Sequence, residues 1–73
     1  MLEKLTAIIR EETGDKNMTV SRDTVLLTDL GLNSLDLVNL VCVVEDEFNV
    51  EIPDRVIGSM KTVGDVMDFL SAQ

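Results

Sequence analysis

Asn33-Ser34-Leu35-Asp36-Leu37-Val38-Asn39-Leu40-Val41-Cys42-Val43-Val44-Glu45-Asp46-Glu47-Phe48 reads as one amphipathic helix that carries its own start signal. At about 100° per residue, Leu37, Leu40, Val41, Val44 and Phe48 share a sector broad enough to bury against other helices. Asn33 can cap the first turn, and Asp36 three positions on completes a capping-box-like Asn-x-x-Asp. The cap therefore does not need Ser34. Leu35, Val38 and Cys42 fall on the opposite side together with Asn39 and Asp46, while Asp36, Glu45 and Glu47 lie at its flanks. A small domain has no second core for that strip to face, so the strip is either exposed for a partner or buried in an oligomer.

Working outward, residues 2 to 13 place Leu2, Leu5, Ile8 and Ile9 at helical spacing, and Gly14 is a natural stop. Residues 14 to 33 lack a sustained period and are rich in Gly, Asn, Thr, Ser and Asp. They read as a long loop anchored by Val20, Val25, Leu26, Leu27, Leu30 and Leu32. Ile52-Pro53-Asp54 breaks the chain, and a short helix over 54 to 59 follows, because proline suits a first helical turn and not a helix interior. Thr62-Val63-Gly64-Asp65 repeats the capping logic, and Val63, Val66, Met67 and Leu70 carry an apolar stripe to the end. The expected fold is all-α, a small four-helix bundle of three longer helices and one short one, with a long loop between helices one and two. No repeat, low-complexity run or linker divides it, so residues 1 to 73 are read as a single domain.

Composition narrows the function classes. A chain of 73 residues is too short for a core plus a walled catalytic cleft. Its only aromatics are Phe48 and Phe69, which suits an aliphatic helical core. A single cysteine, Cys42, excludes an internal disulfide, and the lack of histidine removes Cys/His metal constellations, so no metal site is expected. No apolar run is long enough for a signal sequence or a membrane span, so the expected compartment is cytoplasmic and no membrane insertion is expected. The net charge of −8 is one-sided: residues 1 to 22 hold four acids and four bases, and from Asp23 onward ten acids face only Arg55 and Lys61. Such a field repels nucleic acid and anionic lipid and steers basic protein surfaces toward it.

Ser34 is left to account for. Nucleophilic catalysis needs a positioned base and an oxyanion hole. The chain has no His, and none of Lys4, Lys16 and Lys61 forms a Ser-x-x-Lys with Ser34. Gly-x-Ser-x-Gly, phosphate-loop and EF-hand spacings are absent as well, so an enzyme is not expected. A first-turn serine can instead be a substrate, since a phosphodiester there would lie near free N–H groups and the positive end of the helix dipole. Position alone leaves this reading and that of an ordinary helix-start serine both open.

Asp29-Leu30-Gly31-Leu32-Asn33-Ser34-Leu35-Asp36, followed by Glu45-Asp46-Glu47-Phe48, Glu51-Ile52-Pro53-Asp54 and the closing helix from Thr62-Val63, resembles the acyl carrier protein family over essentially the whole chain. The resemblance implies a four-helix bundle with 4′-phosphopantetheine attached covalently to Ser34. It also implies acyl groups held as thioesters on that arm and delivered to fatty-acid or related synthase enzymes. The implied partners are a phosphopantetheinyl transferase, and acyl-transfer and synthase enzymes with basic docking patches, the carrier itself being a monomer. The implied recognition residues are Leu35, Asp36, Val38, Asn39, Cys42, Glu45, Asp46 and Glu47. The family also shelters acyl chains between helices, and Val41, Val44, Ile52, Ile57, Met60 and Met67 are the implied lining. Asn33 stands where the family usually has Asp, which keeps the cap and removes one charge beside the attachment point. Asn39 stands where many fatty-acid carriers have an acid. A dedicated polyketide or D-alanyl carrier is therefore an open alternative, as is an unmodified acidic adaptor that binds a basic protein.

Overall fold

The structure is a computed structural model that describes residues 1–73. It contains α1 (Leu2–Thr13), α2 (Ser34–Phe48), α3 (Asp54–Ser59) and α4 (Val63–Ser71), with no strand. The expected all-α arrangement of three longer helices and one short one is found, with α4 ending at Ser71 rather than running to the last residue. Gly14 ends α1 at φ 74, a left-handed value that a residue without Cβ adopts at no steric cost. Asn49 ends α2 at φ 53, where asparagine is among the few side chains tolerated, and its N–H reaches back to the Glu45 carbonyl.

Fourteen apolar residues form one buried cluster to which all the longer helices contribute. Leu5, Ile8 and Ile9 come from α1, Leu37, Leu40, Val41 and Val44 from α2, and Val63, Val66 and Leu70 from α4. No buried side-chain polar atom is left without a partner, so the core carries no desolvation penalty of that kind. Phe48, on the core sector of α2, is only half-buried, and the Lys4 ammonium lies 5.8 Å from its ring centroid.

The 20-residue connection from Gly14 to Asn33 is held down at several points rather than spanning freely. Arg10 donates from Nε to the Met18 carbonyl at 2.9 Å, and Leu26 and Leu30 insert into the core. Its middle runs against the α3–α4 junction through three main-chain hydrogen bonds. Leu26 N donates to the Lys61 carbonyl (2.9 Å), Val63 N to the Thr24 carbonyl (2.9 Å) and Gly64 N to the Arg22 carbonyl (2.8 Å). The approach at Gly64 is so close that an added Cβ would stand 3.0 Å from the Arg22 oxygen. Arg22 also pairs with Asp68 on α4 at 2.7 Å, though both side chains are largely in solvent, where such pairs stabilise by about 1 kcal/mol or less. The expectation that Leu27 anchors this loop is corrected: Leu26 faces the core, and its neighbour is 44% exposed.

Both capping boxes form. Asn33 Oδ1 accepts from Asp36 N at 2.8 Å, and Asp36 Oδ2 accepts from Asn33 N at 3.4 Å. At α4, Thr62 Oγ1 accepts from Asp65 N at 3.2 Å, while Asp65 Oδ2 accepts from Lys61 N at 2.9 Å and Thr62 N at 3.1 Å. These two main-chain donors hold the Asp65 carboxyl below the ordinary carboxylate range, the Lys61 N–H being the larger influence.

Candidate functional site

Ser34 is the first residue of α2 and is exposed. Because Asn33 supplies the cap, the serine hydroxyl takes no part in satisfying the helix end. The chain has four serines, and the other three hydroxyls are engaged. Ser59 donates to the Val56 carbonyl (2.8 Å), Ser71 to the Met1 sulfur (3.9 Å), and Ser21 lies 3.4 Å from the Thr24 hydroxyl. Ser34 Oγ has no partner within the protein. Of the first-turn N–H groups, that of Asp36 is taken by the Asn33 cap, while those of Ser34 and Leu35 have no carbonyl one turn back, and the dipole of a 15-residue helix adds positive potential there. A hydroxyl on a backbone held by the helix, unoccupied by local bonds and next to two free donors suits a covalently attached phosphate.

Ser34 opens onto a surface cleft of about 770 Å³, within the size range of ligand sites. Its apolar lining is Val25 and Leu27 from the long loop, Leu37 and Val38 from α2, and Ile57 and Met60 from α3 and its end. Thr28, Asp54 and Lys61 supply its polar and charged groups besides Ser34. Behind Leu37, which lines both spaces, the core holds only a seam of about 10 Å³ bordered by Val41, Val44 and Ile52. The six residues implied as acyl-chain lining are thus divided. Ile57 and Met60 stand on the cleft, Val41, Val44 and Ile52 border the closed seam, and Met67 lines neither, lying with its sulfur 3.9 Å from Arg22 Nη1.

On the outer side of α2, Leu35 is 69% and Val38 45% exposed, with Asn39, Cys42, Asp46 and Glu47 exposed beside them. Asp36 is exposed and bound to its cap. Glu45 differs from the other recognition candidates. It is half-buried, and its Oε2 accepts from Ile52 N at 2.7 Å, tying α2 to the connection before α3. Val43, 37% exposed, lies half a turn from Ser34 on the helical wheel, beside the Asp36 and Glu47 flank of this face. Leu27, Thr28, Asp54 and Lys61 were missed as neighbours of Ser34, and no local periodicity signals them, because three separate segments meet there only in the fold.

Comparisons with known proteins show what the chain as a whole resembles. The family model described as the phosphopantetheine attachment site matches residues 3–70. An acyl carrier protein of Prochlorococcus marinus is 37% identical over 73 residues, covering 100% of this chain and 91% of the relative. The mitochondrial acyl carrier protein of Saccharomyces cerevisiae is 35% identical over 72 residues, and this chain spans only 58% of its length. The crystal structure of an acyl carrier protein from Thermotoga maritima superposes with a TM-score of 0.83 at 31% identity, over 97% of this chain and 82% of that one.

Proposed function

The chain belongs to the acyl carrier protein family, whose attached group is 4′-phosphopantetheine, and from that premise we propose that Ser34 is its attachment residue. The observation that carries this is the freed hydroxyl: alone among four serines it has no protein partner, and it stands at a helix start that favours phosphate. In the attachment reaction Ser34 Oγ forms a phosphodiester with the phosphopantetheine phosphorus of coenzyme A as the phosphoanhydride bond breaks and the nucleotide leaves. The hydroxyl proton goes to a base of the partner transferase, since this chain has no histidine to take it. When bound, the arm supplies the thiol on which acyl groups are held as thioesters.

The chain's own residues serve as a carrier domain rather than as a catalyst. The acids Asp36, Asp46 and Glu47 on α2 attract basic patches of transferase and synthase enzymes and set encounter rate and orientation. The small apolar strip of Leu35, Val38 and Cys42 supplies the desolvated contact. The cargo is delivered to fatty-acid or related synthases. Intact-mass measurement after incubation with a phosphopantetheinyl transferase and coenzyme A tests the proposal. The wild type and Cys42→Ala should each gain the mass of one arm, and Ser34→Ala should gain none. No gain with several transferases would favour an acidic adaptor instead.

A further inference from the structure

Lys61 is one of only two bases after residue 22, and it is the one cation on the cleft that contains Ser34. It is exposed and has no carboxylate within ion-pair distance, the Arg22–Asp68 pair being the only salt bridge of the chain. Two carboxylates lie on neighbouring elements. Asp65, on α4, takes its hydrogen bonds from the main-chain N–H groups of Lys61 and Thr62, and the Lys61 ammonium attracts it only from beyond ion-pair distance. Asp54, at the start of α3, lines the same cleft. Ser34 and Lys61 come from different walls: the serine from the start of α2, the lysine from the α3–α4 junction, where its carbonyl accepts from Leu26 N. Both residues line the one cleft, so an arm attached at Ser34 shares its space with the Lys61 ammonium.

The two cavities differ in what they suit. The core seam is closed and wholly apolar, whereas the cleft is open, has an apolar floor and carries one unpaired cation. An alkyl chain gains nothing from that cation, while a short acyl group ending in a carboxylate gains a charge-assisted contact that offsets the repulsion of a net −8 protein. Resting on the Ser34 reading above, we propose that the arm lies along this cleft and that Lys61 holds the free carboxylate of a short carboxyacyl cargo.

The test loads the full chain from malonyl-coenzyme A or, as the uncharged near-isostere, butyryl-coenzyme A, with the loading checked by intact mass. NMR spectra of the two forms are then compared. The expected result is that the Lys61 side-chain signals and the amides of Thr28, Met60 and Lys61 shift in the malonyl form and not in the butyryl form. The difference should vanish in Lys61→Met and persist in Lys61→Arg. Both variants should fold, because the structural bonds of Lys61 are main-chain. Loaded proteins with equal shifts for both cargoes, or a malonyl-specific shift that survives in Lys61→Met, would overturn the role of Lys61 while leaving Ser34 intact. Failure of the mass gain would overturn the Ser34 reading and this one with it.

Discussion

Leu26 and Leu27 are adjacent in a loop yet should respond oppositely to truncation. Leu26 is 1% exposed and borders the core seam with Leu5, Leu40 and Val63, whereas Leu27 is 44% exposed on the outer cleft. Replacing Leu26 by alanine removes three buried carbons, about 2.5 kcal/mol of burial at ~0.8 kcal/mol each. The cavity left in a core whose seam is only about 10 Å³ adds to this, for about 3–4 kcal/mol in all. A chain of this size has roughly 4–11 kcal/mol of total stability, so the change removes a large share. The midpoint of thermal unfolding should fall by about 12–30 °C. The chain has no Trp or Tyr, so urea unfolding followed by far-ultraviolet circular dichroism is the suitable assay. Leu26→Ala should lower the midpoint with an unchanged urea dependence, and Leu27→Ala should stay within about 0.5 kcal/mol of wild type. A loss below about 1 kcal/mol for Leu26→Ala, or equal losses for both, would refute the view that the long loop is an integral part of the core.

Asn33→Ala should cost about 1 kcal/mol through the lost cap of α2, and Ser34→Ala should melt within about 0.5 kcal/mol of wild type because its hydroxyl bonds to nothing in the protein. The carboxyl of Asp65 is depressed on folding, so its contribution is present above the unfolded value of about 3.9 and is lost as pH falls through the lower folded value. Acid titration of stability should therefore show a steeper loss below about pH 4 in wild type than in Asp65→Asn. Added salt should raise the melting temperature, since ten acids face two bases after residue 22; a melting temperature indifferent to ionic strength would contradict that origin.

The helices were legible because each carries redundant local signals. Asn33 with Asp36 and Thr62 with Asp65 mark two starts, Gly14 marks a stop, and the stripe from Leu37 to Val44 could face only one core. Ser34 stood out because a neighbouring residue already did the capping, but its role as an acceptor came from the resemblance of residues 29–36 to the family. The cleft was not legible, because Leu27, Asp54 and Lys61 come from three segments whose meeting depends on the main-chain bonds between residues 22–26 and 61–64. Neither Leu27 nor Leu26 announces which way it points, since an irregular loop has no period to assign faces. Glu45 shows the same limit on a regular element. Its helical position suggests an acidic edge, and only the fold reveals that its carboxylate holds the Ile52 N–H.

The claim that Ser34 accepts the arm because Asn33 leaves its hydroxyl free is tested most directly by locating the added mass within the chain. The transferase-treated protein is digested and its serine-containing peptides are fragmented in a mass spectrometer. The arm should be found on Ser34 and on none of Ser21, Ser59 and Ser71, whose hydroxyls are already engaged. An arm on any of those three, or one that persists in Ser34→Ala, would contradict it.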